Sequence, residues 1–176
     1  SMFPRVIDYS YFDNYELVMP YRDQYGNAIG IVGRTLLSES LRKELKIAKY
    51  KNTKFKKSQY LFGLYENQHE ILKRSWCYIV EGQFDVIKAY ENNIKNCVAV
   101  GSSHLSFKQI ALIKRYCGTV YLLFDNDDAG IAGREEAIEK YSKYIAIKNA
   151  YIPKKFKDLD EYLSSKPKKI DIKHEL

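Results

Sequence analysis

Residues 78–85 read Tyr-Ile-Val-Glu-Gly-Gln-Phe-Asp. An apolar run, Cys77-Tyr78-Ile79-Val80, stops at Glu81; a glycine follows, and Asp85 comes four residues after the glutamate. A short continuous apolar run bounded by glycine is the pattern of a strand buried on both faces. Downstream, such runs alternate with helical spacing. The pattern predicts strands over 77–80, 97–100, 119–124 and 145–151, and helices over 84–92, 106–116 and 128–142, with Ser106 as an N-cap. Strands and helices in alternation imply an α/β fold: a parallel sheet with flanking helices, whose ligands bind at the carboxyl ends of the strands.

A second stretch has the same form. In Val120-Tyr121-Leu122-Leu123-Phe124-Asp125-Asn126-Asp127-Asp128-Ala129-Gly130 another apolar strand ends in acids. If both strands lie in one parallel sheet, Glu81, Asp125 and Asp127 gather at one edge. Close carboxylates repel and raise one another's pKa, a penalty that a divalent cation removes. Oxygen ligands without His or Cys suit a hard ion, Mg²⁺ or Mn²⁺. Two other readings compete. Asp127 or Asp128 could simply cap the helix over 128–142. Asp125, Asp127, Gly130 and Glu136 also fall at positions one, three, six and twelve of a calcium loop, although Ala129 fills position five and a strand precedes it.

Upstream, Leu17–Tyr21 and Ala28–Gly33 read as two strands joined by turn chemistry over Asp23–Asn27. Ser38–Ile47 reads as a short helix, Lys49–Tyr60 as a loop, and Leu61–Leu72 as a helix. Between Arg42 and Lys57 eight basic residues stand against one acid, Glu44, a local excess equal to the net +7 of the whole chain. A concentrated basic segment on a neutral body is the footprint of a polyanion partner such as nucleic acid, or else a solvated lysine-rich loop. Tyr50, Phe55 and Tyr60, interleaved with lysines, suit stacking on unpaired bases or ordinary packing.

At 176 residues and 45% hydrophobic, the chain suffices for one compact domain with an appended subdomain. Ser1 before Met2 reads as a cleavage scar. Three cysteines in no paired spacing and three scattered histidines argue against a disulfide framework or a zinc site and fit a reducing cytoplasm. No apolar run approaches a membrane span. The expected organisation is a basic, β-rich subdomain over 2–75, an α/β domain over 76–163 and a frayed basic tail over 164–176.

The glutamate after one strand and the Asp125-Asn126-Asp127 triplet after another resemble the two signatures of the TOPRIM domain, a Rossmann-like metal-binding module of primases, topoisomerases and some nucleases. Within that superfamily the chain is similar to the bacterial DnaG-type primases from about Met19 to Leu163. "MPYRDQYGNAIGIVGRTL" resembles the segment before the family's basic ridge, and "KYKNTKFKKSQYLFGLY" the stretch that carries its lysine-tyrosine and asparagine. "EGQFDVIKAY", "VAVGSSHLSFKQIALI", "FDNDDAGIAGREEA" and "KDLDEYL" match its later motifs. Asn126 stands where the family has the glycine of D-G-D, and Asp128 where a basic residue is common.

The resemblance implies Mg²⁺ or Mn²⁺ held by Glu81, Asp125 and Asp127, with Asp158 and Asp160 as further ligands and Asp85 in support. It implies that Arg34, Lys49, Tyr50 and Asn52, with Lys54, Lys56 and Lys57, hold nucleotide phosphates or template. The implied activity is synthesis of short RNA primers on single-stranded DNA from NTPs, in the cytoplasm, alongside a replicative helicase or another replisome protein. A metal-dependent nuclease and a non-catalytic DNA-binding module are the alternatives. The zinc-ribbon and helicase-binding segments of the family are not matched, so an excised core or a small relative from a plasmid or phage is expected.

Overall fold

The computed structural model describes residues 9–175. The chain divides into two compact units, one running through Tyr21 and resuming over Ala28–Phe55, the other comprising Arg22–Asn27 and Lys56–Leu176.

The smaller unit is built on a three-stranded sheet of β1 (Leu17–Arg22), β2 (Ala28–Arg34) and β3 (Tyr50–Asn52), in that order. The hairpin turn forms as its residues dictate: the Asp23 carboxylate accepts the peptide N–H groups of Tyr25 and Asn27, both at 2.9 Å. The segment over 49–60, expected as loop, contains β3, which pairs antiparallel with β2 so that Arg34 lies opposite Tyr50. Three half-exposed residues are too few to show a period of two, and only the partner strand makes them a strand. Helix α1 (Glu39–Leu45) starts where Ser38 accepts the N–H of Leu41.

The larger unit carries a five-stranded sheet. Its strands are β4 (Trp76–Val80), β5 (Cys97–Ala99), β6 (Thr119–Leu122), β7 (Ala146–Tyr151) and β8 (Lys173–His174), in spatial order β5-β4-β6-β7-β8. The first four run parallel; β8 returns antiparallel along β7. The helices are α2 (Leu64–Arg74), α3 (Gln83–Glu91), α4 (Phe107–Ile113), α5 (Asp128–Tyr141) and α6 (Leu159–Ser164). Ser106 caps α4 as its sequence predicts, accepting the N–H of Gln109 at 3.2 Å.

Strand side chains alternate between two cores. Cys77, Ile79, Val120 and Leu122 face a cluster with Leu64 of α2, Ile110 of α4 and Ala137 of α5. Tyr78, Val80 and Leu123 face the other, with Val86 and Ala89 of α3 and Leu159, Tyr162 and Leu163 of α6. Both sheet faces are therefore covered, which explains the unbroken apolar runs. The helix after β4 covers one face and the helix after β6 the other. The chain thus reverses its winding between these neighbouring strands, and a crevice opens at their carboxyl ends.

The C-terminal segment, expected to fray, is ordered by that sheet. Ala150 pairs with His174 and Tyr151 with Lys173. The His174 ring stacks on Tyr121 with centroids 4.3 Å apart, lies 5.7 Å from Trp76, and its Nε2 meets the Tyr78 hydroxyl at 2.6 Å. Lysine-rich composition hides this, because two backbone pairs and one aromatic cluster do the anchoring.

Candidate active site

Glu81 directly follows β4, its carbonyl accepting the Gly101 N–H at 2.9 Å, and Asp125 follows β6 after two buried residues, Leu123 and Phe124. Parallel register brings the two ends together: Ile79 pairs with Leu122, and the Leu123 N–H donates to the Ile79 carbonyl at 2.9 Å. The Asp125 N–H then donates to Glu81 Oε1 at 3.2 Å. Burial, then the charge of Asp125, push the Glu81 carboxyl up to about 7.

Asp85 plays a different part. One carboxylate oxygen accepts the N–H of Gly82 at 3.1 Å and the other the N–H of Asp160 at 2.8 Å. It therefore fastens the first turn of α3 to the start of α6. Burial, partly offset by the Asp160 N–H, raises its carboxyl to about 7. The spacing from Glu81 needs glycine between: a Cβ on Gly82 would lie 2.7 Å from Asp85 Oδ2.

The loop after β6 is held from several sides. Asp127 Oδ1 accepts the Gly130 N–H at 2.9 Å and so caps α5, while Oδ2 faces Lys157. The capping and ligand readings of this residue thus concern different oxygens. Arg134, buried on α5, donates Nη1 to the carbonyls of Phe124 and Asp125 at 2.9 and 3.4 Å. Gly130 packs so tightly that a Cβ there would strike the Asp125 carbonyl. Asn126 N–H donates to the Lys157 carbonyl at 2.7 Å, and its side-chain amide to Phe156 O at 2.8 Å. Glu136, twelfth in the calcium-loop reading, lies on α5 paired with Lys140 and His104 at 2.5 and 2.8 Å, which removes the last ligand of that loop.

Lys157 carries no signal in the sequence, yet its ammonium stands 3.8 Å from Asp125 Oδ2 and 3.7 Å from Asp127 Oδ2. Asp158 Oδ1 caps α6 through the Glu161 N–H at 2.7 Å, and an Asp160 carboxylate oxygen accepts from Ser164 at 3.2 Å. Among the described residues no three acidic, histidine or cysteine side chains converge into a finished cation cage. The donor set nevertheless fits a hard cation. It is all oxygen, its carboxylates repel one another, and a single lysine ammonium stands near two of them, too little positive charge for both.

In the smaller unit the expected phosphate-binding residues form their own group. The Arg34 guanidinium lies 5.6 Å and the Lys49 ammonium 5.8 Å from the Tyr50 ring centroid, and Arg34 Nη1 donates to the Tyr50 hydroxyl at 3.3 Å. Asn52 sits on β3, its carbonyl accepting from the Tyr11 hydroxyl at 2.8 Å. Lys54 follows β3 and is exposed. Phe55 packs on Tyr21, centroids 4.9 Å apart, and occupies the space over Gly30, so its half-buried ring is engaged in packing. In the larger unit Lys56 precedes a short 3₁₀ turn, and burial holds the Lys57 ammonium below the ordinary lysine value.

A switch-point crevice lined by Glu81 and an Asp125-Asn126-Asp127 loop defines a Toprim-like domain, and residues 78–163 match that family. The relatives narrow the class further. DNA primase of Aquifex aeolicus is 33% identical over 152 residues, covering 84% of this chain and 29% of the relative. DNA primase of Synechococcus elongatus is 34% identical over 87% of this chain and 23% of the relative. The solved zinc-binding and RNA polymerase domains of the Aquifex aeolicus primase superpose with a TM-score of 0.73 at 30% identity, over 89% of this chain and 42% of that one. A DnaG primase catalytic domain bound to single-stranded DNA gives 0.72 at 27% identity, over 86% and 49%. Most of this chain is thus similar to DnaG-type primases, and it spans under a third of the length of these curated relatives. Among its described residues no helix is long and apolar enough to cross a membrane.

Proposed function

We propose that this chain is the catalytic module of a DNA primase, joining ribonucleotides into short RNA primers on single-stranded DNA. The observation that carries the reading is the meeting of Glu81 with the Asp125 loop at the β4/β6 switch point, in a chain related to primase catalytic cores. Glu81, Asp125 and Asp127 would hold Mg²⁺ or Mn²⁺, with Asp158 and Asp160 as further oxygen donors; the bound cation supplies charge stabilisation for phosphoryl transfer.

The protein's own residues do the rest. Arg134 and the Asn126 contacts fix the loop, so that Asp125 is held in place before any ligand arrives. Asp85 holds α3 against α6 and keeps Glu81 at the strand end. Lys157 balances the aspartates and withdraws when a stronger positive charge binds. Arg34, Lys49, Tyr50, Asn52, Lys54, Lys56 and Lys57 take phosphates of the template or of the incoming nucleotide. The half-buried Lys57, whose charge is disfavoured where it stands, gains from an anion. In this reading the partners are a single-stranded DNA template, NTPs, and a replicative helicase or other replisome protein, met in the cytoplasm.

The test is incubation with single-stranded DNA, NTPs and Mn²⁺, with products resolved on a gel. Short RNA products are expected. Degraded template would make the chain a nuclease, and unchanged template with no RNA would make it a DNA-binding module.

A further inference from the structure

A cavity of 720 Å³ opens beside the acidic loop, and the polymerase reading gives it no task. Its walls come from α5, the end of β7 and the C-terminal segment. Tyr151 and Lys173 are cross-strand partners on β7 and β8, so their side chains share one face. Arg134 reaches the same face from α5, its guanidinium carbon 5.6 Å from the Tyr151 ring centroid. Lys154 lies just beyond β7, and Asn126 brings in the acidic loop itself.

The lining has two kinds of surface. Tyr151 is 37% exposed and Ile131 is 44% exposed, so an aromatic and a branched aliphatic side chain face the cavity with their surfaces only partly covered by protein. Three cations, Arg134, Lys154 and Lys173, stand against one acid, Asp171. The volume lies within the roughly 300–1,000 Å³ of small-molecule sites. A cation surplus repels a metal ion and attracts phosphate. The ring and Ile131 suit a flat heterocycle. Asp171 suits a hydroxyl or amino donor on the same ligand, and a bare polyanion would leave it opposed.

We infer that this cavity is a nucleotide-binding site separate from the Glu81–Asp125–Asp127 centre, with the base against Tyr151 and Ile131 and the phosphate between Lys154 and Lys173. The ligand is a free nucleotide or one nucleotide of a strand. Because its own lysines neutralise the phosphate, the site binds without divalent cation, whereas the carboxylate centre repels nucleotides when no cation is present.

The experiment is titration with AMP in EDTA, followed by calorimetry and saturation-transfer NMR, with inorganic phosphate and a short oligodeoxynucleotide as parallel probes. Saturable AMP binding in EDTA is expected. Lys154→Glu combined with Lys173→Glu should weaken it at least tenfold. Tyr151→Ala should weaken AMP but not inorganic phosphate. Both lysines are exposed, so the charge-reversed protein should melt as the wild type does, and Lys154→Gln alone gives a milder variant with a smaller loss. Displacement of AMP by the oligonucleotide identifies the strand as the source, and its failure to displace identifies the free nucleotide. Absence of AMP binding at millimolar concentration in EDTA overturns the site, as does unchanged affinity in the charge-reversed protein. Neither result bears on primer synthesis, which requires the cation.

Discussion

The peptide N–H of Asp125 donates to Glu81 Oε1 at 3.2 Å, so the end of β6 hydrogen-bonds a carboxyl whose pKa the Asp125 side chain itself helps to raise. One residue thus supplies both a favourable and an unfavourable influence on the same group, and burial tips the balance toward the protonated form.

That balance predicts how stability depends on pH in EDTA. The folded Glu81 carboxyl keeps its proton up to about pH 7, whereas its ordinary value is 4.5; for Asp85 the corresponding values are about 7 and 3.8. Between those limits the folded state binds more protons than the unfolded state, so stability falls as pH rises through the window and levels off above it. Thermal melts from pH 4 to 8.5 should show this fall, and Glu81→Gln should reduce it. A stability that rises over the same range would refute the assignment.

Asp85 is predicted to be a structural fastening. Asp85→Ala leaves the N–H groups of Gly82 and Asp160 without their acceptor. At about 1–3 kcal/mol for each donor left unsatisfied, the loss should be about 2–6 kcal/mol. Urea denaturation measures it; a change below about 1 kcal/mol would mean that water replaces the carboxylate.

Lys157 is predicted to compete with the cation. Lys157→Met should raise Mn²⁺ affinity, measured by calorimetry, several-fold. Because the lysine side chain is 61% exposed, stability without metal should change by under about 1 kcal/mol. Weaker Mn²⁺ binding in this variant would show that the lysine supports the centre instead.

Asp125→Asn keeps the shape of the side chain and removes one charge from the cluster. Without metal it should fold at least as stably as wild type. Its stabilisation by Mg²⁺ should shrink, since a ligand that binds only the folded state stabilises by mass action. Primer synthesis should fall roughly a hundredfold or more. Paired melts with and without Mg²⁺, alongside the gel assay, read all three; a variant that unfolds without metal would make Asp125 a structural residue.

The basic segment predicts a salt dependence. Replacing Lys54, Lys56 and Lys57 with alanine should flatten the log–log salt slope of single-stranded DNA binding by up to about 0.7 for each phosphate no longer neutralised. An unchanged slope would make these lysines a solvated surface.

The alternation of apolar runs and helical spacing is enough to mark β4 and β6 as buried parallel strands that end in acids, because such strands write their burial directly into the sequence; that the two are neighbours comes from the register of Ile79 with Leu122. Less legible are features fixed by a distant partner. β3 exists because β2 offers an edge to Tyr50–Asn52, and β8 because Ala150 and Tyr151 pair with His174 and Lys173. Lys157 lies thirty residues beyond the aspartates in a lysine-rich chain, and nothing local separates it from its neighbours. Helix α6 is too short to announce itself: its start depends on Asp158 as cap and on Asp85, seventy-five residues away, accepting the Asp160 N–H. Of two readings of Phe55, packing is the one observed, and no composition could have decided that.

Trp76 is the chain's single tryptophan, and it sits beneath His174 among Tyr78 and Tyr121. The molecule therefore carries an optical gauge of its own C-terminal strand. Lifting β8 strips an imidazole from the indole and admits solvent to it, so a shift in emission colour and yield marks that local opening. Far-ultraviolet dichroism, dominated by the helices, barely registers the loss of a two-residue strand. Where the two signals separate on heating or in denaturant, the C-terminal strand has come away from a sheet that is still folded.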